Sequence, residues 1–81
     1  MKINRILETK DIEKYLLKRN LIDQYKKVKT FILSGKTSQV NLKKRNPKGS
    51  GLWYFRINKQ FRAIGYFDKQ DFIVFEIDNH Q

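Results

Sequence analysis

Four side chains suited to chemistry on a phosphate group stand at even-numbered positions in the C-terminal third of the chain. They are Arg56, Arg62, Asp78 and His80. An arginine stays charged at physiological pH and presents a planar fork of N–H donors that fits phosphate oxygens. A histidine, with an ordinary pKa of about 6.5, exchanges protons near neutral pH without help from its surroundings. The set therefore suits binding of a phosphodiester and transfer of a proton.

Cleavage of RNA without a metal ion needs groups of these kinds. In that reaction the 2′-hydroxyl attacks the adjacent phosphorus, so the site needs a base, cations for the phosphoryl oxygens and an acid for the leaving 5′-oxygen. His80 is the candidate for proton transfer, and Arg56 and Arg62 are the candidates for holding the oxygens. An aspartate is ordinarily too acidic to act as a base near neutrality, so Asp78 is better suited to orienting His80.

Three strand-like runs carry these side chains. They span 52–58, 61–67 and 72–78, and the short turns between them predict an antiparallel meander. The odd positions form a continuous apolar or small series that predicts the face covered by helices: Trp53, Phe55, Ile57, Phe61, Ala63, Gly65, Phe67, Ile73, Phe75 and Ile77. The even positions, and with them the four candidate side chains, then converge on the uncovered face.

The turn after the first of these strands sets the register of the two arginines. A three-residue loop over 58–60 would place Arg56 opposite Arg62, where the two charges repel unless an anion lies between them. The alternative is a solvated strand face in which the arginines pair with Glu76 or Asp78, with His80 as a solvated tail residue. On that alternative Tyr54, Tyr66 and Trp53 belong to the core or its rim.

The N-terminal half is predicted to supply the layer that covers the sheet. Weak alternation over 2–7 favours a short edge strand, Thr9 can cap a helix reaching about residue 19, and Asn20 can cap a second helix that ends at Ser34 and Gly35. The apolar stripes of these helices hold Ile12, Tyr15, Leu16, Leu21, Ile22, Tyr25, Val28, Phe31 and Ile32. Residues 41–51 read as a loop because of their Pro and Gly content. We therefore expect an α+β fold of order β-α-α-β-β-β, with a helical hairpin on one face of a twisted antiparallel sheet.

The positive charge is concentrated in the middle of the chain. The net charge is +10. Residues 24–67 contain eleven of the basic side chains and no carboxylate: Lys26, Lys27, Lys29, Lys36, Lys43, Lys44, Arg45, Lys48, Arg56, Lys59 and Arg62. Such a field attracts polyanions, of which nucleic acid is the commonest. The alternative is a solubility charge spread over the surface.

Length and composition exclude several classes of protein and site. Eighty-one residues allow one domain, over 1–81, and the absence of Cys together with a single His excludes disulfides, a thiolate nucleophile, a Cys-based zinc site and a two-histidine metal site. No apolar run approaches the length of a membrane span, and the first residues lack the apolar stretch of a secretory signal. We expect a soluble, cytoplasmic protein without a metal or other cofactor.

Two motifs carry a resemblance to a known family. Residues 51–62 read Gly-Leu-Trp-Tyr-Phe-Arg-Ile-Asn-Lys-Gln-Phe-Arg, and residues 74–80 read Val-Phe-Glu-Ile-Asp-Asn-His. The first is similar to Gly-x-Trp-Ser-x-Arg-Ile-Asn-x-Gln-Tyr-Arg, the strand-turn-strand signature of the HigB-like killer branch of the RelE/ParE toxin superfamily. The second is similar to that branch's Val-Glu-Ile-x-Asp-Tyr-His terminus. The resemblance covers essentially the whole chain.

The resemblance implies the toxin of a type II toxin-antitoxin system. Such a toxin is an mRNA interferase, an endoribonuclease that cleaves mRNA in the ribosomal A site without metal, and a small antitoxin, here expected to contain a helix-turn-helix, restrains it. Arg56 and Arg62 match the family's phosphate-binding arginines, Asp78 its C-terminal aspartate and His80 its terminal histidine. RNA contacts are expected from Lys43, Lys44, Arg45, Lys48, Tyr54, Lys59 and Asn79.

This chain departs from the family pattern at two positions. Asn79 stands where the family has an aromatic residue, so its role in base stacking or proton transfer would fall to Tyr54 or Tyr66. Lys43 stands where the family has an upstream histidine, so Lys43 or the neighbouring Lys44 would take the second proton-transfer role. Two other functions remain open on the same fold, a ParE-like poison of DNA gyrase and a non-catalytic basic RNA-binding module.

Overall fold

The computed structural model describes residues 3–35, 42–45 and 49–79, and these form two helices packed on a five-stranded sheet. In chain order the elements are β1 (Arg5–Glu8), α1 (Ile12–Lys18), α2 (Ile22–Leu33), β2 (Lys43–Lys44), β3 (Leu52–Arg56), β4 (Phe61–Asp68) and β5 (Asp71–Asn79). The strand order in the sheet is β1-β5-β4-β3-β2. The predicted α+β class, the helix pair and the meander of β3, β4 and β5 are confirmed.

The sheet is mixed, whereas the sequence predicted an antiparallel one. β1 runs parallel to β5, with Ile6 opposite Phe72, while the other strand pairs are antiparallel. Parallel neighbours need a long connection, and here the helices and the meander supply it. The two-residue strand β2 lies inside the segment predicted as a loop, where Lys43 and Lys44 pair with β3.

Both helices begin later than the sequence predicted. Thr9 does not cap α1, which begins after Asp11, and the backbone N–H of Thr9 donates to the carbonyl of Val74 on the sheet at 2.9 Å. Asn20 does not cap α2 but ends α1, in a left-handed conformation with φ of 56°. The N–H of Leu21 then donates to the carbonyl of Leu16 at 2.8 Å, closing the helix end in the manner of a Schellman motif.

The helices bury their predicted apolar stripes against one face of the sheet. Ile12 and Leu16 of α1 and Tyr25 and Ile32 of α2 are buried. On the sheet side the core holds Ile6, Phe55, Ile57, Phe61, Ala63, Phe72, Val74 and Ile77. This face is called the helix-covered face below, and the other is called the open face. Neither described helix is long and apolar enough to cross a membrane.

A hydrogen-bonded carboxylate joins β1 to α2. Glu8 accepts hydrogen bonds from the hydroxyl of Tyr25 at 2.7 Å and from the Nζ of Lys29 at 2.9 Å. Burial, reinforced by the hydrogen bond to Glu8, raises the pKa of Tyr25 above its ordinary value of 10.0. Lys29, one of the basic side chains of the carboxylate-free segment, is therefore paired with a carboxylate from outside that segment.

A β-bulge in β5 interrupts the alternation of side chains. Ile64 pairs with Glu76, but the next residue, Gly65, pairs with Val74, so Phe75 is an extra residue on β5. Gly is required at position 65 because a Cβ there would collide with the carbonyl oxygen of Ile73 and approach a ring atom of a neighbouring phenylalanine to 2.8 Å. A glycine inside a strand is the usual sign of such a close approach.

The bulge makes one part of the sequence prediction wrong. Ile73 and Phe75 were expected in the core, but Phe72 and Val74 are the fully buried residues of this strand segment. The shift of one residue reverses the faces of all side chains on the N-terminal side of the bulge in β5. Phe75 instead contacts Tyr66, with ring centroids 5.9 Å apart, and so lies on the open face.

Candidate nucleic-acid interface

A row of three charged side chains crosses the open face at one end of the meander. Arg62 on β4 is paired with Arg56 on β3 and with Asp78 on β5. We call these three residues the arginine row. The predicted register of the two arginines is confirmed, and the predicted convergence with Asp78 is also found.

The turn that sets this register is held by one asparagine. The Oδ1 of Asn58 accepts hydrogen bonds from the backbone N–H groups of Gln60 at 2.8 Å and Phe61 at 2.9 Å. Its Nδ2 donates to the Oε1 of Gln24 on α2 at 2.8 Å. The turn is thus bonded both to itself and to the helix layer, which keeps Arg56 and Arg62 opposite each other.

The arginine row has more positive than negative charge, and the excess is not neutralised locally. Within residues 3–35, 42–45 and 49–79, the ion pairs shorter than 4.0 Å join Arg5 to Asp71 and Lys29 to Glu8. The alternative in which Arg56 and Arg62 pair with Glu76 or Asp78 is therefore not found among these residues. Two arginines at directly opposed positions with this charge balance form a favourable place for an anion.

A second row lies beside the arginine row. Lys43 on β2 is paired with Tyr54, which is paired with Ile64, which in turn is paired with Glu76. The guanidinium carbon of Arg62 lies 4.8 Å from the centroid of the Tyr54 ring. This cation–π contact fixes the direction of Arg62, and the register brings Lys43 to the open face next to it.

Other residues predicted to contact RNA lie elsewhere. Lys44 is paired with Trp53, and its Nζ lies 5.6 Å from the centroid of the Trp53 ring, on the side of the helix-covered face. Asn79 is paired with a buried residue and accepts a hydrogen bond from the Nε2 of Gln60 at 2.9 Å, so it too is turned away from the arginine row. Lys59 is exposed in the turn between β3 and β4.

Arg45 lies at the edge of the sheet. The backbone N–H of Arg45 donates to the carbonyl of Leu52 at 2.8 Å, which extends the pairing of β2 with β3 by one step.

Two residues of the predicted site, Lys48 and His80, are outside the described residues. The phosphate-binding half of the predicted site is therefore described, and the group assigned to proton transfer is not.

The open face carries a third row of side chains that the sequence pattern did not predict. It consists of Leu52, Tyr66, Ile73 and Leu7, paired in that order across β3, β4, β5 and β1. We call it the apolar row. Tyr66 and Leu7 are 41% and 39% exposed. The signal that could have found this row is Gly65, because a glycine inside a strand marks a bulge and hence a change of face.

At the far edge of the open face, two opposite charges neutralise each other. Arg5 on β1 is paired with Asp71 on β5, and their charged groups are 2.6 Å apart. This hydrogen-bonded contact raises the pKa of Arg5 and lowers that of Asp71. The open face thus changes from arginines that have no ion pair among the described residues at one end to a neutralised pair at the other, with the apolar row between them.

The described ranges contain no cluster of three His, Cys, Asp or Glu side chains that could hold a metal ion. The arrangement they do contain offers two arginines to the oxygens of a phosphodiester and the apolar row to the adjoining parts of the ligand. Comparison of the chain with protein-family models, with curated proteins and with solved structures finds no match.

Proposed function

We propose that this protein is the toxin of a type II toxin-antitoxin system, an endoribonuclease that cleaves mRNA in the ribosomal A site without a metal ion. The observation that carries the proposal is the arginine row, in which Arg56 and Arg62 oppose each other on the open face beside Asp78. The resemblance of residues 51–62 and 74–80 to the HigB-like killer branch supports the same assignment.

The arginine row suits the transition state of this reaction. When the 2′-hydroxyl attacks phosphorus, negative charge increases on the phosphoryl oxygens, and fixed cations nearby stabilise it more than they stabilise the ground state. Arg62 is held over Tyr54, and Arg56 is held opposite it by the register. Because the Tyr54 ring positions Arg62 before the ligand binds, this side chain needs little reorganisation when the charge develops.

The remaining roles follow from the sequence. His80 transfers the proton, and Asp78, two residues earlier, orients it. Lys43 lies on the open face, where it adds a cation or takes the second proton-transfer role. The partners in this proposal are the ribosome with its mRNA, and a small antitoxin that blocks the toxin. The proposed site of action is the cytoplasm.

Expression in a bacterial host tests this function. Brief induction of the wild-type chain is expected to stop growth and to produce new mRNA 5′ ends within codons, mapped by primer extension. Arg62→Ala, Arg56→Ala and His80→Ala are each expected to restore growth and remove those ends. Arg19→Ala is the matched control, because Arg19 also lies over a tyrosine, with 3.7 Å between its guanidinium carbon and the Tyr15 ring centroid, but on the helix layer.

The same experiment separates the other functions. Induction of the SOS response with intact mRNA would assign the protein to the gyrase poisons instead. Salt-sensitive RNA binding with no cleavage would assign it to the non-catalytic RNA-binding modules. A folded Arg62→Ala variant that still cleaves mRNA would overturn the proposed site.

A further inference from the structure

The apolar row presents an aromatic ring to solvent close to the arginine row. Among the described residues, the large apolar side chains that are strongly exposed are Leu7, Leu17, Leu33 and Tyr66. Leu17 and Leu33 belong to the helix layer, whereas Leu7 and Tyr66 lie in the same row of the open face. An exposed apolar group beside a charged binding surface is often part of that surface.

Tyr66 is the tyrosine whose ring is available for stacking. The chain has four tyrosines. Tyr25 is buried, Tyr15 is covered by Arg19 at 3.7 Å, and Tyr54 is covered by Arg62 at 4.8 Å. In the described ranges, the aromatic partner of Tyr66 is Phe75, whose ring is tilted by 46° to it at a centroid distance of 5.9 Å. This geometry supports the Tyr66 ring from one side and leaves 41% of the residue exposed.

The bulge in β5 is what provides this support. Without the extra residue, strict alternation would place Phe75 on the helix-covered face, away from Tyr66. Bulges commonly redirect a side chain next to a functional site. The cost is a glycine at position 65, where no side chain fits.

The position of Tyr66 relative to Arg62 suits a single strand of nucleic acid. The two residues are four positions apart on β4 and point to the same face, so they are about 13 Å apart along the strand. A base stacked on Tyr66 would therefore belong to a nucleotide neighbouring the phosphate bound at the arginine row. The row of Tyr54 and the buried Ile64 lies between them on the same face.

We propose that the Tyr66 ring, backed by Phe75, is the base-stacking platform of this protein and binds an unpaired base next to the phosphate held by Arg56 and Arg62. This inference rests on the proposed function, because it takes the phosphate to be that of RNA. It assigns stacking to Tyr66 rather than to Tyr54, because the Tyr54 ring is covered by Arg62. Stacking is tolerant of base identity, so the platform fixes the position of the strand without selecting a sequence.

Fluorescent RNA tests this inference. The probes are short single-stranded RNAs with 2′-O-methyl riboses, which block the 2′-hydroxyl attack, and with 2-aminopurine at one position in each. Stacking on an aromatic ring quenches 2-aminopurine, so the wild-type protein is expected to quench it at one position. Tyr66→Ala should abolish that quenching and weaken binding about 5- to 100-fold, whereas Tyr66→Phe should retain both.

The controls distinguish failure of this inference from failure of the proposed function. Tyr15→Ala removes a tyrosine from the helix layer and should leave quenching unchanged. If Arg62→Ala weakens binding and Tyr66→Ala does not, the stacking platform is wrong and the phosphate site stands. If neither variant changes binding, both are wrong. If the wild-type protein quenches no probe, the stacking platform is wrong whatever the effect of Arg62→Ala on binding.

A protein contact at the apolar row is the competing outcome. Circular dichroism and thermal unfolding would first establish that Tyr66→Ala is folded. A wild-type dimer that Tyr66→Ala dissociates, measured by light scattering over a range of concentrations, would show that the row binds a second copy of the chain. That result, with quenching unchanged, would overturn the proposal.

Discussion

Arg56 and Arg62 face each other directly across β3 and β4. Like charges at directly opposed positions of an antiparallel pair destabilise the sheet. The described part of the chain holds no carboxylate within 4.0 Å of either guanidinium group. The register therefore predicts a repulsion between the two side chains, which a bound anion would relieve.

The first prediction concerns this repulsion. Arg56→Gln should raise the free energy of unfolding by about 0.5 kcal/mol, because it removes one of two opposed charges and keeps a polar side chain of similar length. Urea unfolding measures the change. Arg5→Gln is the matched control, since Arg5 has Asp71 as a partner and its loss should not stabilise the protein. An Arg56→Gln variant that is less stable than wild type would show that the arginine row is not a site of unrelieved repulsion.

The second prediction concerns the bulge. Gly65→Ala should lower the free energy of unfolding by about 3 kcal/mol, because the added Cβ collides with backbone and with a buried ring that cannot move freely. Gly49→Ala is the control. Gly49 has a φ of 85° and open space around its Cα, so only the backbone conformation is penalised, by about 1 kcal/mol. Equal losses in the two variants would mean that the close approach at Gly65 is absent.

The third prediction concerns the alkaline stability of the fold. Tyr25 has a raised pKa in the folded protein, so its contribution to stability is fully present below about pH 10, the ordinary tyrosine pKa, and is lost as the pH rises above it. At pH 8, Tyr25→Phe should be less stable than wild type by about 1.5 kcal/mol, because Glu8 loses a hydrogen bond. At pH 11 this difference should shrink, since ionisation then favours the unfolded wild type.

Urea unfolding of both proteins at the two pH values measures this change. The lysines and the other tyrosines titrate in both proteins, so the difference between the two isolates Tyr25. A stability gap of the same size at pH 8 and pH 11 would contradict the assignment of the raised pKa to burial and to Glu8.

The fourth prediction separates charge from geometry at the arginine row. Arg62→Lys keeps the positive charge but loses the planar fork and its cation–π contact with Tyr54. RNA affinity in low salt should therefore fall only slightly, while the rate of cleavage should fall by at least tenfold. Binding titrations and cleavage assays on the same protein preparation measure the two effects. A cleavage rate that stays within a few-fold of wild type in Arg62→Lys would contradict this prediction and would mean that Arg62 acts through its charge alone.

Sequence reasoning predicted the arginine register well because local features determine it. The turn is short, and the Asn58 side chain accepts hydrogen bonds from the backbone N–H groups of Gln60 and Phe61, which favours the register that opposes Arg56 and Arg62. The helix pair was also predictable, since both apolar stripes have a clear helical period. In both cases a pattern within one short segment of the chain was enough to predict the structure of that segment.

The remaining features depend on contacts between distant parts of the chain. The later start of α1 could not be predicted without the knowledge that the pairing of β1 with β5 continues through the backbone N–H of Thr9. The parallel pairing of β1 is likewise set by the crossover of the helices. The bulge reversed the faces of Ile73 and Phe75. It accompanies the close approach of Gly65 to the neighbouring strand, which is a contact between separate strands. The apolar row was missed for that reason.

The most direct test of the central claim is a cleavage assay with purified ribosomes that hold a defined mRNA in the A site. Wild-type protein is expected to cut the mRNA. Arg56→Ala and Arg62→Ala should cut it at least 100-fold more slowly, and Arg19→Ala should cut it at the wild-type rate. Intact mRNA with the wild-type protein, or wild-type cleavage by a folded Arg62→Ala variant, would contradict the claim that the arginine row binds the phosphate that is cleaved.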